Sequence, residues 1–507
     1  MPHNYIRQMV LTVVLISMSL PLAAQVAIPA AEYLPVTEGS IAERSVPFLS
    51  QAEYMADWNY VEDEYVLSGT ANIYDYVDDA SQSPLVGVVE ENLPYATRLI
   101  VRRPANRSKF NGTVYLDVVN ATRGFDSDIT WHYSARMIMR EGAVYVGLTS
   151  KPTTVNFLRD EFGRPPYILR NYSRYANLQM QKDGQIWDML SQAAALLKSD
   201  AQPSNPLAGF GVERIILTGY SQSAGYVKTF VNSFHNDAIM SDGRMAFDGF
   251  FEGAGSFASK VPNPPNPSSE FNPGGDPRNK TLLPVMAPVM RFQTSTEVLG
   301  FFNSKVNRQT EEDSPWVRTY EMAGSAHVDA RQLIFEELQN IDELGLMSVW
   351  PLCEDASTLP VEYVHSALLS RLGDWIESGR SPPESRLITL IENDKGRLVS
   401  EKDSDGNEVG GIHLPQLAVP TGVWSGLNPN LYCFLNGNFI PFSEAELAVR
   451  YPWHRDYVHQ TLSAVIDTYR DGFLLPQDAW DIYREAHKSD IGEKKPRRRW
   501  WRRGSQR

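Results

Sequence analysis

The stretch Arg214-Ile-Ile-Leu-Thr-Gly219-Tyr220-Ser221-Gln222-Ser223-Ala224-Gly225 decides how the rest of the chain is read. An apolar, β-favouring run ends in a turn of small residues with a serine at its centre, and a helix-like segment, Gln222 to Phe234, starts immediately behind it. A strand that reverses this sharply into a helix brings two backbones close together, so bulk on either side of Ser221 would clash. Gly219 and Ser223 keep that space open; the common form of the pattern has Gly where Ser223 stands, and Ser is the next smallest polar choice.

Working outward, apolar runs alternate with helix-like segments from about residue 60 to residue 327. The pattern predicts strands at Tyr95 to Val101, Thr113 to Val119, Ala143 to Leu148, Arg214 to Thr218, Phe247 to Phe251, Val285 to Gln293 and Val317 to Met322. Several are continuously apolar, as strands covered on both faces are. Helices are expected at Ile129 to Arg140, Asp183 to Lys198 and Gln222 to Phe234. The fold class is therefore α/β, a mostly parallel sheet wrapped by helices. From Phe257 to Pro284 the chain is rich in Pro, Asn, Gly and Ser and reads as an inserted loop. Beyond residue 330 helical segments dominate, at Val364 to Ser378, Ser443 to Arg450 and Tyr457 to Tyr469. This divides the chain into a core at 40–330, a C-terminal helical or cap-like region at 331–490 that completes the domain, and a basic tail at 491–507.

A serine hydroxyl is a poor nucleophile until a base removes its proton, and the base needs a third group to hold its tautomer. The candidate base is His327, in Ala323-Gly-Ser-Ala-His327 just past the strand Val317 to Met322; of the nine histidines it alone has this placement after Ser221. The candidate acid is Glu297, on the polar turn after the strand ending at Gln293, with Glu312, Asp313 and Glu252 as competitors. Acyl transfer also needs donors where charge develops on the carbonyl oxygen. The backbone N–H of Gln222 is one candidate, and Ala121 and Thr122, in the loop after the strand Thr113 to Val119, are the others.

With 507 residues, 42% of them apolar and 21% charged, the chain can bury a large core and has no signature of disorder, collagen or coiled coil. Its first 24 residues carry one Arg, a 14-residue apolar run and a Leu22-Ala23-Ala24 flank, the pattern of a secretory signal cleaved after Ala24; an uncleaved anchor is the alternative. The expected localisation is exported, periplasmic or secreted, and the mature chain is not expected to span a membrane. Cys353 and Cys433 are the only cysteines, and an oxidising compartment permits them to pair; two separate buried thiols are the alternative. The tail from Lys494 to Arg507 holds eight Lys or Arg residues and no acid, against a net charge of −14 for the whole chain. Interleaved with Trp500 and Trp501, it could contact anionic surfaces, whereas the acidic body argues against nucleic acid. Asp403-Ser-Asp-Gly-Asn-Glu408 resembles the start of a calcium loop but has Gly at the fourth and Glu at the sixth position, and is better read as a hairpin turn. No His or Cys pair has zinc-site spacing, so neither a metal nor another cofactor is expected. Asn106, Asn111, Asn120, Asn171 and Asn279 head Asn-x-Ser/Thr triplets, which matter only in a glycosylating host.

The segments GYSQSAGYVKTFVN, EMAGSAHVD, HSALLSRLGDWIESGRSPP and DSDGNEVGGIHLPQLAVPTGVWSG together resemble a family of exported alpha/beta hydrolase domain-containing proteins, from about residue 40 to residue 490. The last two segments lie outside the expected core and are more specific to the family than the serine turn. The resemblance implies an α/β-hydrolase fold, a carboxylic ester hydrolase activity, and Ser221 and His327 at the nucleophile and base positions, with Glu297 at the acid position. It departs at His413, where the family carries Arg. The expectation is then a serine hydrolase that cleaves a small-molecule or polymer ester through an acyl-enzyme. The alternatives are an amidase or peptidase with the same residues, and a non-catalytic polymer-binding protein of the same fold.

Overall fold

The computed structural model describes residues 25–38, 45–78, 83–164, 172–255, 260–264, 278, 285–300, 313–333, 344 and 352–493. The signal-like segment, Asn171, Asn279, Glu312, most of the loop between Phe257 and Pro284, and the tail from Lys494 onward lie outside these residues. No described helix is long and apolar enough to cross a membrane.

Among the described residues nine strands form one sheet: β1 (Ala30–Tyr33), β2 (Tyr60–Tyr76), β3 (Val86–Pro104), β4 (Thr113–Val118), β5 (Val144–Leu148), β6 (Arg214–Tyr220), β7 (Gly249–Gly253), β8 (Val289–Thr294) and β9 (Val317–Met322). Their spatial order is β1-β2-β3-β5-β4-β6-β7-β8-β9. From β5 to β9 every pairing is parallel, and β1, β2 and β3 add an antiparallel flank. The parallel strands β4, β5 and β7 are buried at every position, which is why they read as continuous apolar runs. The β2–β3 hairpin differs from the sequence expectation: β3 runs for 19 residues rather than the seven from Tyr95 to Val101, and β2 was not anticipated. Its strands are half solvated and rich in Asp and Glu, so their apolar signal is diluted.

Two helices, α2 (Ile186–Leu197) and α3 (Gln222–Ser233), cover one face of the sheet, with Trp187, Phe230 and Phe234 in a common apolar cluster. On the other face lie α1 (Ile129–Glu141) and α5 (Val361–Ser378), which bury Trp131, Ile138, Leu368, Leu372 and Trp375. Between them in sequence the short α4 (Ser295–Leu299) follows β8. The C-terminal region is less purely helical than expected. Before α6 (Glu444–Arg450), α7 (His454–Arg470) and α8 (Pro476–Lys488) come two small antiparallel pairs, Leu390–Glu392 with Leu398–Ser400 and Gly422–Ser425 with Asn438–Pro441. Strands of three or four residues are too short to show a period of two. Arg386 and Ile412 bridge to Tyr320 and Met322, so this region runs along the open edge of β9. Asp403 to Asn407 makes the expected turn, closed by the Lys402–Glu408 bridge. Cys353 and Cys433 are joined by a disulfide, with Cα atoms 5.7 Å apart, beside Val328 and Leu333.

Buried charges tie the hairpin to the loop after β4. Arg98 pairs with Glu64 at 2.5 Å and with Asp126 at 3.2 Å, and Arg174 reaches the other oxygen of Glu64. Arg102 bonds Glu62 and Asp128, with its guanidinium 4.6 Å from the Trp131 ring centre. Burial would raise the Asp128 carboxyl, but Arg102 and His132 hold it far below the usual carboxylate range.

Asp117, near the end of β4, accepts from Thr130 Oγ1, Thr218 Oγ1 and Tyr145 OH, joining α1, β6 and β5. Burial nonetheless pushes its carboxyl up to about 6 from 3.8. The folded protein therefore holds this proton more tightly than the unfolded chain does. The resulting stabilisation is complete below the ordinary value and is lost as pH rises through about 6. Asp117→Asn is expected to flatten the stability–pH curve between about pH 4 and 7, removing on the order of 3 kcal/mol of pH dependence. Urea denaturation across that range checks it; parallel curves for parent and variant would refute the assignment.

Candidate active site

Ser221 sits between β6 and α3 with φ 60° and ψ −125°, a backbone conformation that L-residues rarely adopt. Its amide donates to Gly253 O at 2.8 Å, and Asn120 Nδ2 donates to Tyr220 O at 3.0 Å, so both neighbouring segments hold the turn. The crowding inferred from sequence is present. A Cβ on Gly219 would lie 2.6 Å from Ser223 O, and one on Gly255 would lie 2.2 Å from Ala224 Cβ.

Three side chains from three separate turns meet here. Ser221 Oγ lies 2.9 Å from His327 Nε2, and His327 Nδ1 lies 2.6 Å from Glu297 Oε1. Glu297 is fully buried and His327 nearly so, whereas Ser221 is partly exposed. Glu297 is held by its own helix start: its second oxygen accepts the Thr294 amide at 2.8 Å and the Thr294 hydroxyl at 2.5 Å, a capping box at the N-terminus of α4. One carboxylate oxygen is thus fixed by the backbone and the other is presented to the imidazole.

The two described competitors are engaged elsewhere. Glu252 pairs with Arg291 and Lys228, and Asp313 binds the amide and hydroxyl of Ser385. The two candidate donors in the loop after β4 differ. The Thr122 amide is already given to Asn120 Oδ1 at 2.8 Å, so it is not available to a carbonyl oxygen, whereas the Ala121 amide donates to no described residue. The asparagine turn that consumes the first leaves the second. Gln222 is the first residue of α3, where an amide has no intrahelical acceptor. His413 is half-buried in the motif that ends in Leu414-Pro415, and burial lowers its pKa.

Sequence reasoning missed the groups that hold the histidine's backbone. His327 N donates to Thr296 Oγ1 at 3.0 Å, next to Glu297, so the acid and base turns are stitched to each other. The hydroxyls of Tyr220 and Tyr133 both donate to His327 O, at 2.8 and 3.2 Å. Tyr220 is the residue before the serine, and its place in the turn was the available signal. A second buried histidine, His365, lies beneath among Tyr133, Tyr220, Phe251 and Phe292, with Nδ1 2.8 Å from Ser134 Oγ. Burial pushes it down to about 3, which keeps it neutral at ordinary pH.

A parallel sheet flanked on both faces by helices, with a serine on the sharp turn behind a central strand and a histidine and carboxylate on the turns behind later strands, defines the α/β-hydrolase class. The sequence matches the alpha/beta hydrolase domain family over residues 28–484, and the chain belongs to that family. No protein of curated function matches it. Among solved structures it is similar to an alpha-beta serine hydrolase homologue from Coxiella burnetii, at 14% identity over 49% of this chain and 90% of that one, with a TM-score of 0.27. A carboxylesterase from Lactobacillus plantarum is similar at 15% identity over 44% and 71%, TM-score 0.26. A glucuronoyl esterase from Solibacter usitatus is similar at 11% identity over 58% and 80%, TM-score 0.27. Family membership rests on the sequence match.

The crowding at the turn sets an expectation for stability. Gly219→Ala is expected to destabilise the protein by about 1–3 kcal/mol, because the new methyl meets backbone rather than a movable side chain. Gly373→Ala, inside α5 with only Tyr115 Oη at 3.8 Å, is expected to be neutral or to stabilise by up to about 1 kcal/mol. Thermal melts of the two variants beside the parent check the contrast.

Proposed function

We propose that this α/β-hydrolase-family protein is a serine hydrolase acting on carboxylic esters, small or polymeric, outside the cytoplasm. The observation that carries the proposal is the unbroken line Glu297–His327–Ser221, at 2.6 and 2.9 Å, ending on a strained turn. Ser221 Oγ attacks the ester carbonyl while His327 Nε2 takes its proton. Glu297 receives the Nδ1–H hydrogen bond and stabilises the imidazolium that forms. The oxyanion is met by the amides of Gln222 and Ala121. Collapse of the tetrahedral species passes the proton from Nε2 to the departing alkoxide, and water then repeats the sequence on the acyl-serine. The steps need no cofactor. Export is supported by the leader-like N-terminal sequence and by the Cys353–Cys433 disulfide, a bond that persists in oxidising compartments.

A fluorophosphonate probe is expected to form an adduct on Ser221 of the parent, to be found by peptide mapping, and none on Ser221→Ala. With a short-chain aryl ester, His327→Ala is expected to lower kcat by roughly 10⁴- to 10⁶-fold and Glu297→Gln by roughly 10³- to 10⁴-fold. A folded parent that forms no adduct would refute the proposal, and matched anilides in place of esters would separate ester from amide preference.

A further inference from the structure

The family-specific segment around Asp403 to Leu414 is remote in sequence from the serine, the histidine and the acid, yet it reaches their supports. Its turn carries Glu408, whose side chain is fully buried. Glu408 Oε1 accepts from Ser295 Oγ at 2.8 Å, and Oε2 accepts from the Gly324 amide at 2.8 Å. Ser295 is the first residue of α4, between Thr294, which fixes one oxygen of Glu297, and Thr296, which accepts the His327 amide. Gly324 lies three residues before His327 on the other turn. One carboxylate therefore grips the acid turn with one oxygen and the histidine turn with the other.

We propose that Glu408 is a positioning residue for the Ser221–His327–Glu297 line, a role that rests on the triad reading above. Its own placement is firm. Asn407 donates to Gly422 O at 3.2 Å and accepts from the Trp424 amide at 3.0 Å, while Ile412 N donates to Glu321 O and Ala323 N to Ile412 O. The segment is thereby attached to the end of β9. Ser295 N also donates to Ser325 Oγ at 3.1 Å, so the two turns touch directly, and the carboxylate completes the clamp from outside. Lys402 Nζ, 3.3 Å from Oε1, supplies a countercharge. Removing the carboxylate leaves a buried amide and a buried hydroxyl without their acceptor, and both lie on the segments that set the Glu297–His327 geometry. Displacements of about 1 Å at such supports cost on the order of 10²-fold in rate.

The test compares Glu408→Ala, Glu408→Gln and Glu408→Asp with the parent, with Asn407→Ala as a control that loosens the same turn without touching either triad turn. The readouts are kcat and KM for an aryl ester, the rate of fluorophosphonate adduct formation on Ser221, and the melting temperature. Glu408→Ala is expected to lower kcat and the adduct rate about 10²-fold, with KM within about threefold of the parent. Gln, which keeps the reach and one acceptor, is expected to recover most of the loss. Asp keeps the charge but is a methylene too short to hold both turns, and is expected to recover little. Should Glu408→Ala not fold, Ser295→Ala removes only the hydroxyl donor. Its loss in kcat is expected to be smaller and not to add to that of Glu408→Gln. The inference is overturned if Glu408→Ala labels and turns over like the parent, or if Asn407→Ala loses as much kcat at an equal drop in melting temperature. It is overturned in the fallback arm if the Ser295 and Glu408 effects add in full. A parent that forms no Ser221 adduct refutes the triad reading and this inference with it; a labelled parent and an equally labelled Glu408→Ala remove this inference alone.

Discussion

The backbone at Ser221 is the constraint around which the molecule is arranged. A non-glycine residue at φ 60° and ψ −125° persists only when its surroundings over-determine it, and here they do so from several directions. β7 takes the serine's own amide through Gly253 O, and the loop after β4 takes the preceding carbonyl through Asn120. The passing strand and helix are so close that Gly219 and Gly255 have no room for a side chain. The strain places the hydroxyl clear of the sheet, within reach of an imidazole carried by a different turn.

The turns and loops around the serine, the imidazole and the acid are secured from both ends of the chain. From the N-terminal side, Arg98 and Arg102 in β3 reach Asp126 and Asp128, fixing the loop that bears Asn120 and Ala121. From the C-terminal side, Gly426 O accepts Thr296 Oγ1 and Leu435 O accepts the Val328 amide, while the disulfide at Cys433 anchors the segment that carries Leu435. The C-terminal region was expected to complete or cap the domain, whereas the long N-terminal hairpin was not anticipated. In the structure they also act as supports for the turns at the C-terminal ends of the strands.

How much of this the sequence announced follows from how local each signal is. The serine turn is contiguous, and the steric demand on Gly219 and Ser223 is visible in the string itself. His327 and Glu297 follow strands whose apolar runs are unmistakable because both faces are buried. The hairpin of β2 and β3 was mostly missed because one-sided burial and many carboxylates blur its period, although those carboxylates are what hold Arg98 and Arg102. Thr122 illustrates a different limit. Ala121 and Thr122 look equivalent as loop amides, and only the side-chain orientation of Asn120, two residues before Thr122, decides that one amide is consumed. Glu408 was legible as part of a segment that carries the family resemblance, but the segment does not say what its carboxylate touches.

The two buried histidines near the serine show why partners rather than burial select the group that can do chemistry. His365 and His327 both pack against Tyr220, and both have a ring nitrogen within hydrogen-bond distance of a serine hydroxyl. His365 has Ser134 on Nδ1 and apolar or aromatic rings around it, with no carboxylate among its recorded contacts to the described residues. Burial therefore dominates and drives it down to about 3, a value at which it takes no proton near neutrality. His327 instead has a fully buried carboxylate on Nδ1 and a partly exposed hydroxyl on Nε2, so a proton taken from one side is balanced by charge on the other. Glu297 can supply that charge because Thr294 and the start of α4 have already satisfied its second oxygen. The capping box that begins a five-residue helix is thus what sets a carboxylate against one of two similar histidines.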